Sequence, residues 1–164
     1  MSTKNIELPN KIYIEANQYK PGVMCLIEDT WLMMAKDYFE IKKGFWFDGM
    51  SMPRILWFFY GHPFSIETII QVLWHDIFYS THYFTQNGCD RYLDLMNIQR
   101  NFNWKERKIN CHISLIKRKS IYYGLRMGGW VAYNNKKLEE ISGSSKHLHV
   151  NGRQFDPGIM IDGA

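Results

Sequence analysis

Three cysteines in 164 residues, Cys25, Cys89 and Cys111, are too few and too scattered to frame a small disulfide-held fold. No CxxC pair is present, which removes the usual thiolate zinc motif and makes a reducing compartment the simpler fit. No apolar run approaches the roughly 20 residues of a bilayer-spanning helix. The opening MSTKNIELPN is polar, unlike a secretory leader, so the chain is expected to be made in the cytoplasm. A strong excess of one charge is also lacking. Twenty Lys and Arg stand against 16 Asp and Glu, a net +4 that permits anionic partners without arguing for them. The densest basic stretch, LIKRKSIYYGLR at 115–126, reads as a solvated helix face, not as a nucleic-acid stripe.

What the chain does have is apolar and aromatic content. Hydrophobic residues make up 46% and aromatics 16%, enough to build one globular core and to exclude general disorder. KIYIEA (11–16) alternates apolar and polar residues, as a half-buried strand does. The runs 22–29, 30–35 and 38–47 carry the branched and aromatic residues of further strands. An ordered loop is expected across 47–63, with WFFY (57–60) as core. Ser65 is placed to cap a helix over about 66–80, and Asn87-Gly88 reads as a break before a helix at 89–101. Asn103 and Glu106 have capping-box spacing for a third helix, along which Ile109, Ile113 and Ile116 form one stripe. The Gly-interrupted 122–133 continues it in close packing on a neighbour. The composition turns polar and Gly/Ser-rich from 138, with a hairpin signal at Asn151-Gly152.

These readings give an α+β fold: a small N-terminal antiparallel sheet, then a layer of three to four helices, then a polar C-terminal tail. The domain is expected to cover 1–137. The tail, 138–164, is expected to order on a partner.

VLWHDIFYSTHYFTQNGCDRY (72–92) carries the densest chemistry. On a helix, His75 and Tyr79 share one face and Asp76 lies about 100° round from His75. IIQVLW precedes them, so His75 ends an apolar stripe and needs hydrogen-bond partners. Asp90, on an antiparallel second helix, would return to supply one, and Tyr79 another. A neutral imidazole oriented by a carboxylate is a general base. Asp76 beside it suits a hard cation, with Asp48-Gly49 as the nearest companion loop. The same residues also read as a satisfied structural histidine. Of the other histidines, His62 reads as a loop residue and His82 as an exposed one. His147 and His149 occupy alternate positions on one strand face, too few for a metal site.

Four segments together resemble a family of small phage and prophage proteins, domain of unknown function 1353. GFWFDGMSMPR (44–54) is similar to its GFxTDGASxPR segment and VLWHDIFY (72–79) to its helix ending in HDxLY. CDRYLDLM (89–96) is similar to its AD helix and IYYGLRMGGW (121–130) to its final W/R…MY…V…G…W helix. The resemblance covers roughly 40–133. Phe47 and Met50 replace the usual Thr and Ala, and Cys89 a small Ala, while Asp48, Gly49, Ser51, Pro53, Arg54, His75, Asp76, Tyr79 and Asp90 are retained. The HDxxY…D order is also similar, more distantly, to phospholipases A2. That resemblance implies His75 as base, Asp76 as calcium ligand with Asp48 and Gly49 in place of a glycine-rich loop, and Tyr79 and Asp90 as braces.

Two functions follow as expectations. One is a phage-encoded hydrolase with calcium or another divalent metal, acting on a phospholipid ester. The other is a non-catalytic virion or assembly protein that contacts other virion proteins through its tail. An HD-type phosphohydrolase using His62, His75, Asp76 and Asp90 fits the strand-rich first third poorly. The host cytoplasm is the expected place of synthesis and the virion a further destination.

Overall fold

The computed structural model describes residues 6–9, 11–49, 68–107 and 114–157. Among the described residues six short strands come first: β1 (Ile6–Glu7), β2 (Ile14–Ala16), β3 (Met24–Leu26), β4 (Thr30–Met34), β5 (Asp37–Ile41) and β6 (Trp46–Phe47). Four helices follow among the described residues: α1 (Ile69–Thr81), α2 (Gln86–Arg107), α3 (Leu115–Asn134) and α4 (Leu138–Ser145). The hairpin β7 (Leu148–Val150) and β8 (Arg153–Gln154) closes the order. The fold is α+β, as the sequence implies.

The strands form two antiparallel sheets instead of one. The larger has the order β1-β4-β5-β7-β8 and the smaller the order β2-β3-β6. In the larger sheet Thr30 pairs with Ile41, Leu32 with Phe39 and Met34 with Asp37. The period-2 alternation turns Leu32, Met34, Phe39 and Ile41 inward. They meet the apolar side of α1, where Trp74, Ile77 and Phe78 are buried. Phe39 sets its ring edge-on to Phe78 at 5.5 Å and to Tyr83 at 5.4 Å. Among the described residues ten aromatics are core, while Tyr19, Trp46, Tyr123 and Trp130 are exposed.

Residues 138–157 are not a tail waiting for a partner. β7 pairs with β5, matching Phe39 to Val150 and Ile41 to Leu148, and Asn151 Oδ1 accepts from Tyr38 N–H at 2.8 Å. Leu148 and Phe155 are buried in the main core and Ile141 is buried on α4. Polar composition here marks an edge hairpin with one wet face. Its turn is the expected one, with Asn151 at φ 51 and Gly152 at φ 80.

The helix boundaries also differ. Thr85 Oγ1 accepts from Gly88 N–H at 3.2 Å, which starts α2 at Gln86 and places Asn87-Gly88 in its first turn. Asn103 and Glu106 lie inside α2 and not at a helix start. Ser114 is the cap of α3, accepting from Lys117 N–H at 3.2 Å. Ile116 is 80% exposed, so it does not extend a buried stripe. Ile109, Ile113, Cys111, His62, Ser65 and WFFY lie outside the described residues, as do Met50, Ser51, Pro53 and Arg54.

Candidate functional site

α1 is buried along its whole described length, so its polar side chains are held between layers. α2 packs against it after the short turn 82–85. The turn is set by His82 in the left-handed region at φ 52. This reversal brings Asp90 back to His75.

His75 Nε2 lies 3.0 Å from Asp90 Oδ1, and the two side chains are 1% and 0% exposed. An ionised carboxylate accepts only, so with a neutral imidazole this contact calls for the hydrogen on Nε2, which would leave Nδ1 an acceptor. Nδ1 has no hydrogen-bond partner among the described residues. Asp76 Oδ1 is 3.7 Å from it, too long for a hydrogen bond but close enough to act by charge. Burial pulls the imidazole pKa down; the carboxylates of Asp76 and Asp90 more than offset this, so it stands raised.

Asp76 is placed from the other side. Its Oδ2 accepts the Gly49 N–H at 3.0 Å. Gly49 sits at φ 84, a backbone that favours glycine, just past β6. Burial pushes the Asp76 carboxyl up to about 6; His75 opposes this, the charge of Asp48 adds to it, and Lys136 opposes it again. Lys136 Nζ donates to Ser80 Oγ at 2.8 Å, one turn beyond Asp76 on α1.

Tyr79 braces His75 differently from the expectation. Its ring lies against the imidazole, centroids 4.8 Å apart, and no hydrogen bond joins its hydroxyl to His75 or Asp90 among the described residues. The hydroxyl reaches past the imidazole to α3, beside the Gln86 amide and against Gly129. Burial and then the Asp90 charge push its pKa up, which keeps it a neutral phenol.

The structure therefore gathers His75, Asp76, Tyr79, Asp90 and Gly49, with the charge of exposed Asp48 bearing on Asp76. It adds residues that sequence reasoning passed over. Arg126 Nη1 stands 3.6 Å from Asp90 Oδ2, bringing the α3 basic stretch to the centre. Arg118 and Lys119 meet Asp94 of α2 at 3.1 and 3.5 Å, so two cations of that stretch face a neighbouring helix. Gln71, the lone polar residue of IIQVLW, is fully buried one turn before His75. That interruption of an apolar run was its only sequence signal.

His82 is half-buried where exposure was expected. It stacks on Tyr133 at 4.1 Å and bonds the Tyr133 carbonyl at 3.0 Å. Burial lowers its pKa, the Tyr133 bond raises it, and Lys136 lowers it; the net shift is downward. His149 is on β7 and His147 just before it, near Phe45. Among the described residues no group of three or more His, Cys, Asp or Glu is placed to hold a metal ion. For a hard cation, the fitting feature is a buried carboxylate, Asp76, under the charge of Asp48, a repulsion that a cation would relieve. Gly49 presents Asp76 with its N–H, so only its carbonyl oxygen remains as a donor to such an ion.

No helix of the described residues is long and apolar enough to cross a membrane. Comparison of the chain with protein-family models, curated proteins and solved structures returns no match.

Proposed function

We propose that this is a phage-encoded protein with a His-Asp hydrolase centre of phospholipase A2-like type, in which His75 activates water against a lipid ester. One observation carries the reading: Asp90 holds Nε2 at 3.0 Å while Nδ1 has no hydrogen-bond partner among the described residues. A histidine kept only for structure is more readily satisfied at both nitrogens. The phage origin rests on the motif resemblance at 44–54, 72–79, 89–96 and 121–130.

In this reading Nδ1 takes a proton from water as the water oxygen attacks the acyl carbon. Asp90 stabilises the imidazolium that forms. The tetrahedral adduct expels the alkoxide, which takes the proton from Nδ1, leaving acid, alcohol and the original imidazole. Asp76 and Asp48, with the Gly49 carbonyl, would hold a divalent cation such as calcium. Such an ion supplies polarisation of the ester carbonyl.

The test is fatty-acid release from phospholipid vesicles, with calcium or with chelator, by the wild type and by His75→Asn. Calcium-dependent release lost in a folded His75→Asn protein supports the reading. No release with calcium, magnesium, manganese or zinc opposes it.

A second reading has its own support, the near-complete burial of His75 and Asp90. Here the protein is a non-catalytic virion or assembly component, and the pair pins α1 to α2. Its contacts would be other virion proteins.

A further inference from the structure

Gln71 is a fully buried polar side chain that no pairing explains. Neither its amide oxygen nor its amide nitrogen has a hydrogen-bond partner among the described residues, and its exposure is 0%. It lies four residues before His75 on α1, so the two share a helix face with Cβ atoms roughly 5–6 Å apart. His75 Nδ1, also buried, lacks a hydrogen-bond partner among the described residues too, its nearest carboxylate oxygen being Asp76 Oδ1 at 3.7 Å. Three polar atoms are therefore left unpaired on two neighbouring positions inside the core.

Unpaired buried amides are costly and rare, and an ordered water is the usual resolution where two to four polar groups converge. The chemistry is complementary. Water has two O–H donors; Nδ1 and the Gln71 Oε1 are both acceptors.

We propose that Gln71 is a positioning residue: its Oε1 and His75 Nδ1 together hold one buried water, the molecule that His75 deprotonates. One O–H points to each acceptor, which fixes the direction of the oxygen lone pairs. The catalytic part of this inference rests on the hydrolase reading above. The water site does not.

The test is a high-resolution crystal structure of the full chain, wild type and Gln71→Leu, alongside kinetics on phospholipid vesicles. The wild type is expected to show a water within about 2.7–3.2 Å of both atoms. Gln71→Leu is expected to lose that water while the His75–Asp90 pair stays at 3.0 Å. Its kcat should fall about tenfold or more with KM unchanged, since it still binds lipid but no longer orients the nucleophile. Gln71→Glu keeps an acceptor and is expected to keep the water. A dry site in the wild type, or a water that survives Gln71→Leu in place, overturns the proposal. A bridging water in a protein that hydrolyses nothing would remove the hydrolase reading and leave the water site standing. If Gln71→Leu does not fold, the wild-type density and Gln71→Glu still decide.

Discussion

Among the described residues Asp90 gives His75 its one hydrogen bond, and the cost and benefit of that pair are lopsided. Removing the acceptor strands a buried N–H, so Asp90→Ala is expected to lose about 2–3 kcal/mol in a urea melt at neutral pH. Asp90→Asn keeps an acceptor and should lose less. On the proposed hydrolase reading, vesicle hydrolysis should nonetheless fall at least tenfold in both, because neither side chain carries the charge that stabilises an imidazolium. Asp76 behaves in the opposite sense. Its carboxyl titrates at about 6 in the fold against 3.8 unfolded, so the folded state binds the proton more tightly. That contribution is complete below about pH 3.8 and gone once pH passes about 6. Above pH 6 the buried charge is a net burden. In chelator, Asp76→Asn is expected to be more stable than the wild type by on the order of 2 kcal/mol at pH 8, and equal to it near pH 4. The Asn oxygen can still accept from Gly49 N–H. A pH series of denaturant melts checks this. A residue kept charged at that cost fits a centre retained for chemistry.

At the scale of elements, α3 reaches the site through one glycine. A Cβ at Gly129 would overlap the Tyr79 hydroxyl. Gly129→Ala is therefore expected to cost about 2 kcal/mol, and clearly less in a Tyr79→Phe background, a coupling that a double-mutant cycle of thermal melts would read. The sequence showed this only as Gly interruptions in 122–133, without naming the neighbour. His75, Asp76 and Asp90 were legible because helical spacing and one reversal suffice to bring them together. Tyr79 was legible as a companion but not as a ring contact, since spacing fixes a face and not where a long side chain ends. The start of α2 and the α2–α3 border misled because Asn-Gly and the Asn103–Glu106 spacing are local signals. In the fold Thr85 and Ser114 do the capping.

For the whole molecule, composition drew a false border at 138. Alternation in β4 and β5 announced a sheet, but nothing local says that its next strand comes from Leu148–Val150, more than 100 residues later. Long-range pairing is the part of a fold least visible in one sequence. A chain ending at 137 should lose the β5 partner, the buried Leu148 and Phe155, and the α4 packing on α1. It is expected to be insoluble or molten by circular dichroism and gel filtration. A soluble, cooperatively melting 1–137 fragment would return 138–164 to the status of an accessory tail. The same architecture explains why the centre is so buried: the sheet and α2 clamp α1 from two sides.

Water activation by His75 turns on one nitrogen. Nitrogen-15 NMR of histidine-labelled protein, with His75→Asn to assign the signal, reads which ring nitrogen carries hydrogen. The expected result for neutral His75 is hydrogen on Nε2, coupled to Asp90, with Nδ1 as an unprotonated acceptor. Hydrogen on Nδ1 in the neutral form would contradict it, because His75 would then offer no base to water and would serve only to tie α1 to α2.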